Sequence, residues 1–315
     1  MVSGITGGDA RLRRVEIQPP HTGRRRLVAG LIAGTVAAAG AIHRGRRESR
    51  EVTLTRHELA LPGLGPAFDG YRIVQLSDLH LDGWMTSERL MRAVGLANAE
   101  APDLVAFTGD FVSYRMPVDT RGLVDAFRAL SAPDGVVAVL GNHDHLVGAE
   151  GVRRLARAAG VSELANAVRT LRRGPDSLHL AGVDDLQEGH LRIDRVLERL
   201  PETGAAVLLS HAPDFADVAG PTGRFGLQLS GHSHGGQAVL PPFGPLVRPP
   251  YSRRYPIGLY EVAGMHLYTN RGLGTVRLPL RLNCRPEVTT FTLRCPERRD
   301  RPVRVDSPLR PSRQA

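Results

Sequence analysis

Lysine is absent from these 315 residues, so every cation of the Lys-or-Arg kind is arginine. We read this as compositional bias of the coding sequence, with multivalent phosphate binding as the sharper alternative. Cysteine is almost absent as well. Cys284 and Cys295 flank the last expected strand, where they either pair outside the cytoplasm or serve as small buried hydrophobes, and neither enters the expected chemistry. No H-E-x-x-H occurs, which argues against a zinc peptidase with its ligands on one helix. No internal repeat is present. Long apolar runs are also wanting: the notable one, Leu27 to Ile42, has sixteen uncharged residues. A spanning helix takes roughly 17–25 and a signal-peptide core about 7–15, so this segment lies on the border.

What is present begins with 42% hydrophobic and 23% charged residues, a composition that fits one globular domain with terminal extensions to spare. The net charge of +9 suggests nucleic acid until it is apportioned. Residues 1–56 carry +7, residues 294–315 carry +4, and the body between them carries −2. The basic excess therefore lies in two tails, where it meets anionic lipid or solvent sooner than a duplex. Arg24-Arg25-Arg26 precedes the apolar segment, and Arg44, Arg46 and Arg47 follow it. Arg24 to Val28 resembles a twin-arginine export signal, although Gly23 stands where Ser or Thr is usual; Ala37-Ala38-Ala39 or Ala39-Gly40-Ala41 could serve a signal peptidase. The expectation is an anchor or signal at 27–42 within a basic segment 1–51, a folded domain at 52–294 outside the cytoplasm, and a basic, disordered tail at 295–315. A buried helix of the domain is the competing reading of 27–42.

Chemistry concentrates where apolar runs end. Ile73-Val74-Gln75-Leu76 leads to Asp78-Leu79-His80, Leu104-Val105-Ala106-Phe107 to Gly109-Asp110, and Val136 to Leu140 to a loop holding Gly141-Asn142-His143-Asp144. Asp78, Asp110 and Asn142 are spaced by 32 residues each time, the length of a βαβ crossover, so neighbouring parallel strands would bring them together. The device recurs at Val207 to Ser210 before His211, and at Leu227 to Ser230 before Gly231-His232-Ser233-His234. Singly, an Asp after a strand is a helix cap and a His a satisfied loop residue. Jointly, caps have no reason to recur in this order with Gly beside Asp110, Asn142 and His232.

At these residues the chain resembles the calcineurin-like metallophosphoesterases, whose pattern is D-x-H, G-D, G-N-H-D/E, a lone H and G-H-x-H. Asp69 to His80, Gly231 to Gln237, Arg271 to Thr275 and Leu278 to Glu287 are similar to the YkuE/YaeI-like bacterial branch, so the match covers roughly 52–294. The resemblance implies an α/β fold, a four-layer α-β-β-α sandwich of two mixed sheets. It implies two divalent metal ions, one held by Asp78, His80, Asp110 and His234, the other by Asp110, Asn142, His211 and His232, with Asp110 bridging. A hydroxide shared by the ions would attack phosphorus, His143 would stabilise the transition state or protonate the leaving oxygen without binding metal, and Asp144 would orient its imidazole. Oxygen and imidazole donors without thiolate suit Mn, Fe or Zn.

The implied activity is a phosphodiesterase or pyrophosphatase acting on a lipid-linked or cell-envelope phosphoester, with the membrane met through the N-terminal segment and nucleic acid not a partner. A nuclease or phosphomonoesterase is the alternative on the same site, and a non-catalytic scaffold the alternative of another class. Substrate recognition falls to loops 82–87 and 240–255, whose Trp84, Met85, Phe243 and Tyr251 either cradle an acyl chain or cover the core. Helices are expected near 88–97, with Ser87 as cap, and over about 119–130, 149–160 and 192–200. Strands are expected at Val52 to Thr55, Leu178 to Val183 and Val288 to Leu293, with a hairpin across Ala263-Gly264.

Overall fold

The computed structural model describes residues 22–296. The basic segment before Thr22 and the expected tail from 297 onward lie outside the described residues, as do the side chains of Arg24 and Arg25 in the export-signal reading. Helix α1 runs Thr22–Glu48. Leu27, Leu31, Ile32, Val36 and Ile42 are exposed on it. Among the described residues no helix is long and apolar enough to cross a membrane, so a spanning anchor finds no support here. The compact catalytic unit starts at Arg44. Arg281 N–H donates to Gly45 O at 3.0 Å, Ser49 Oγ to Pro279 O at 3.2 Å, and Asn283 N–H to Glu48 Oε2 at 2.6 Å, so the residues just before Val52 are part of it.

In chain order the unit continues with β1 (Thr53–Ala60), β2 (Arg72–Leu76), α2 (Ser87–Ala99), β3 (Leu104–Thr108), α3 (Thr120–Arg128), β4 (Val136–Val139), α4 (Asn142–Val147) and α5 (Ala149–Ala158). After these come β5 (Val161–Glu163), β6 (Ala167–Arg173), β7 (Asp176–Gly182), α6 (Ile193–Arg199), β8 (Ala205–Leu209), α7 (Ala216–Ala219) and β9 (Leu227–Ser230). The last are β10 (Val239–Leu240), β11 (Gly244–Pro245), β12 (Gly258–Val262), β13 (Met265–Thr269) and β14 (Glu287–Arg294).

Two mixed six-stranded sheets result, ordered β1-β14-β2-β3-β4-β5 and β12-β13-β9-β8-β7-β6. Strands β3 and β8 are buried throughout with nearly continuous apolar sequence, the signature of parallel strands covered on both faces, and β9 is buried throughout as well, with Gln228 and Ser230 among its residues. Three apolar layers hold the stack. Ile73, Leu104, Val137, Leu180, Val207 and Phe291 fill the space between the sheets. Val74, Val105 and Phe107 pack outward with Leu90 of α2, Phe127 of α3 and Val152 of α5, while Ala206 and Leu208 pack with Val196 of α6 and Ala216 of α7. Helix, sheet, sheet, helix is thus the observed order, and the four-layer sandwich stands.

Local differences have local causes. On α2, Leu90, Ala93, Val94 and Ala97 are buried at helical spacing, but the cap is Thr86, whose Oγ1 accepts Arg89 N–H at 3.4 Å; Ser87 is the first helical residue. Asn142 opens a short helix instead of a loop. The β6 strand was not legible, because its residues are half-buried and lack clean alternation. Met85 is buried and Trp84 packs on the same core, so this pair covers it. Cys284 and Cys295 are unpaired.

Candidate metal centre

The centre is built at the carboxyl ends of five strands. β2, β3 and β4 are consecutive parallel neighbours in one sheet, and β8 and β9 in the other, so the residues following each converge between the sheet ends. Backbone bonds lock the junctions: Asp78 N–H donates to Gly109 O at 3.0 Å, His80 N–H to Asp110 O at 3.1 Å, and Gly231 N–H to His211 O at 3.1 Å. Asp78, His80, Asp110, His232 and His234 all have φ between 46° and 69°. Left-handed backbone at a non-glycine residue is costly, of order 1–3 kcal/mol in the stricter cases, and it clusters where function over-determines it. Glycine supplies clearance beside them. A Cβ at Gly109 would lie 2.5 Å from His211 Nδ1, and one at Gly141 would collide with the Asp110 carboxylate.

Three groups of side chains gather within ligand range. Asp78, His80 and His234 form one, Asp110, His211 and His232 another, and His80, Asp110 and His143 a third, each with donor atoms within 4.8 Å of one another. His80 Nε2 lies 2.9 Å from His234 Nε2 and 3.5 Å from Asp110 Oδ2; His234 Nε2 is 3.4 Å from Asp78 Oδ1. Asp110 Oδ2 is also 3.2 Å from His211 Nε2, so this carboxylate stands between the groups. Asn142 Oδ1 is buried without a hydrogen-bond partner.

Whether these residues fit a cation is decided by their protons. His211 Nδ1 faces Thr108 O at 2.7 Å and His232 Nε2 faces Pro250 O at 2.8 Å. A carbonyl only accepts, so both of those nitrogens carry a proton and the opposite nitrogens are turned inward. Those inward nitrogens, His211 Nε2 and His232 Nδ1, face each other at 3.1 Å, with Asp110 Oδ2 3.2 Å from His211 Nε2. A cluster of this kind holds positive charge, either a second proton on His211 or a metal ion in its place. Carbonyl-anchored imidazoles are how histidine ligands are aimed. With the unpartnered Asn142 oxygen, the donor set fits divalent ions.

Charge is distributed accordingly. Burial, reinforced by the charge of neighbouring histidines, pushes His80 down to about 3 and His232 down to about 4, so both are neutral. Burial also opposes charge on His211, but Asp110 and Asp78 overcome it and raise the group to about 10. Burial lifts Asp78 to about 6, against the pull of His211 and with the push of Asp110. For Asp110, burial is outweighed by His211 and His80, which hold it well below the usual carboxylate range.

His143 and Asp144 part company. Asp144 accepts from Gly141 N–H at 3.0 Å and Val112 N–H at 3.1 Å, tying the start of α4 to the segment after β3. It does not hold the His143 imidazole, as expected from sequence; His143 Nδ1 donates instead to Ser113 O at 2.7 Å. His143 N–H donates to Asp110 Oδ1 at 3.0 Å, and the ring stands edge-on to His80 and Tyr114. Asp110, Asn142, His143, His232 and His234 line a cleft of about 380 Å³ together with Tyr114, Gln187, Val247 and Arg277.

Four supporting residues, Gln75, Ser77, Thr108 and Arg281, escaped the sequence reading. Gln75 Nε2 bridges the sheets by donating to Thr108 Oγ1 at 2.8 Å and Ser230 O at 2.9 Å; Thr108 Oγ1 donates to Ser77 Oγ, which donates to Asp78 Oδ2 at 2.6 Å. A polar residue inside the apolar run of β2 was the available signal. Arg281 is fully buried and donates to the carbonyls of Arg271, Gly272 and Gly274, fixing the loop after β13 against Asp78. His145 pairs with Asp184 at 2.7 Å, away from the metal-ligand groups, while buried Asp185 accepts Glu188 N–H and Asp82 accepts from Ser113 Oγ.

A family model described as calcineurin-like phosphoesterase matches residues 71–236. The Bacillus subtilis (strain 168) metallophosphoesterase YkuE is 37% identical over 282 residues, covering 86% of this chain and 97% of its own. The Escherichia coli (strain K12) phosphodiesterase YaeI is 31% identical over 274 residues, covering 86% and 98%. A Danio rerio transmembrane protein with metallophosphoesterase domain is 28% identical over 86% of this chain and 63% of its own. On the strength of the strand-end motifs, their convergence and these relatives, the chain belongs to the calcineurin-like phosphoesterase family and is a phosphoester hydrolase.

Proposed function

We propose that the protein is a phosphodiesterase or pyrophosphatase with a binuclear metal centre, acting on a lipid-linked or cell-envelope phosphoester. The observation that carries the metal reading is the pair of carbonyl-fixed imidazoles whose inward nitrogens meet at 3.1 Å beside Asp110. Asp78, His80, Asp110 and His234 would hold one ion, and Asp110, Asn142, His211 and His232 the other. Bound Mn, Fe or Zn would supply Lewis acidity at the phosphoryl oxygens and a nucleophile at neutral pH. The protein's own part is positional. Gln75, Thr108 and Ser77 brace Asp78; Thr108 O and Pro250 O aim His211 and His232. His143, with its Nδ1 proton committed to Ser113 O, offers Nε2 to the cleft, and as the imidazolium it would pass its Nε2 proton to the leaving oxygen, returning to the neutral ring.

A diester is favoured over a monoester by the relative named a phosphodiesterase, YaeI. The test is hydrolysis of bis-p-nitrophenyl phosphate against p-nitrophenyl phosphate by Mn-loaded protein, with bound metal counted. Faster monoester turnover would transfer the site to a phosphomonoesterase, and metal-loaded protein inert on every ester would leave a scaffold. The place of action we infer is outside the cytoplasm, reached through Arg24-Arg25 and the apolar segment. Protease accessibility on spheroplasts, wild type against Arg24→Lys/Arg25→Lys, checks it; a shielded domain indifferent to the change is the contrary result.

A further inference from the structure

The strongest feature that the metal centre does not absorb is the wall on one side of its cleft. β10 and β11 form a short hairpin, Leu240 opposite Gly244, with Phe243 at its tip. Phe243 is 79% exposed, Leu246 57%, Val247 61% and, on the adjoining segment, Leu278 62%. Scattered exposed apolar residues are ordinary on protein surfaces. These are not scattered. Leu246 N–H donates to Ala238 O, Val239 N–H to Leu282 O, and Leu282 N–H to Gln237 O, so the hairpin and the 276–282 segment are stitched side by side. Val247 and Arg277 from the two segments line the same cleft as His143 and His234.

Charge selects the occupant. Between Asp217 and Glu287 the sequence has eight arginines and one acid, Glu261, although Arg281 is buried and Arg254, Arg271 and Arg285 pair with Asp217, Glu287 and Glu51. Arg248 and Arg277 are exposed on the apolar wall itself, and no carboxylate interrupts it between Gly235 and Pro256. Exposed aromatic and aliphatic side chains flanked by Arg248 and Arg277, without acids between 235 and 256, complement an anionic bilayer surface. The chain enters the catalytic unit at this edge. Arg44 donates to Asn283 Oδ1, and Asn283 Nδ2 donates to Val239 O, the first residue of the hairpin. The uncharged run Leu27 to Ile42 ends two residues before Arg44.

We propose that the β10–β11 hairpin and the Val276–Leu280 segment dock on an anionic lipid bilayer and present the metal cleft to phosphoesters at headgroup depth. This rests on the phosphodiester reading above and adds the surface from which substrate is taken. Phe243 and Leu246 enter the headgroup boundary; Arg248 and Arg277 stay at the phosphates.

The experiment uses the full chain with Phe243→Trp and vesicles of phosphatidylcholine with or without phosphatidylglycerol, carrying brominated acyl chains. Trp84 is common to both proteins, so quenching above wild type reports on position 243 itself. The expected result is added quenching in the anionic vesicles, lost at high salt. Equal quenching of wild type and variant overturns the proposal, even where the protein sediments with vesicles through its N-terminal segment. Concentration-dependent blue-shifted emission from Trp at 243 without vesicles overturns it too, and makes a second copy the occupant. A companion variant, Phe243→Asp/Leu246→Asp, is expected to lower vesicle partitioning roughly 10-fold or more, with thermal unfolding unchanged as the check that the fold survives. Unchanged partitioning likewise counts against the docking face. Wild-type failure on bis-p-nitrophenyl phosphate would strike the phosphodiester reading alone.

Discussion

Replacing Asp110 by Asn changes one oxygen for one NH2 at the point where the ligand groups meet. The amide oxygen can still accept His143 N–H, so the start of α4 keeps its anchor. The NH2 then faces His80 Nε2 and His211 Nε2, which lie 3.5 and 3.2 Å from Oδ2, and donates where the carboxylate would bridge. Metal-linked stability gives the magnitude. An ion at 100 times its Kd stabilises the native state by about 2.7 kcal/mol, so two ions contribute about 5 kcal/mol. At roughly 2–4 °C per kcal/mol for a domain of this size, Mn should raise the wild-type Tm by roughly 10–20 °C over the chelated protein. In Asp110→Asn both sites lose a shared anion, and the rise should shrink below about 5 °C. Turnover should fall by about 100-fold or more, because losing several kcal/mol of phosphoryl charge stabilisation costs a factor of ten per 1.36 kcal/mol. Differential scanning fluorimetry against a Mn titration, with bound metal counted, reads the result. A variant with the full Mn-dependent rise and two ions per chain would refute the bridging role.

Three further outcomes are expected. His143→Ala should keep metal content near wild type and lose roughly 10²–10⁴-fold in turnover; metal departing with the imidazole would move His143 among the ligands, where its place beside His80 and Asp110 also allows it. Asp144→Ala leaves the Gly141 and Val112 N–H groups buried without acceptors, at about 1–3 kcal/mol each, and urea unfolding in chelator should show the loss; an unchanged midpoint would contradict the capping role. The third concerns pH. The Asp184 hydrogen bond raises His145, so its contribution is full below about pH 6.5 and fades as pH rises through the raised value. Burial opposes charge on Asp184, yet His145 and the adjacent Arg153 leave it lowered, so that contribution fades only as pH falls through its lowered value. His145→Gln should therefore cost more Tm at pH 5.5 than at pH 9 in chelated protein, with the stacked His190 and nearby Asp185 unchanged; equal losses would dissolve the linkage.

The sequence by itself determined the strand ends. Asp78, Asp110 and Asn142 follow apolar runs, and the 32-residue spacing follows from the length of a strand, a helix and their connections. These are local signals, because a strand's burial and the residue that follows it are written in adjacent letters. Tertiary structure decided which nitrogen of each imidazole faces inward. That choice is made by Thr108 O, 103 positions from His211, and by Pro250 O, and a backbone carbonyl carries no mark in the sequence. For the same reason Ser113, and not the neighbouring Asp144, holds His143. The apolar residues divided likewise: Met85 and Phe243 are alike in hydrophobicity, yet one is buried in the core and the other exposed at a hairpin tip. Hydrophobicity fixes the free energy of leaving water, and only the packing of other segments decides whether there is anywhere to go.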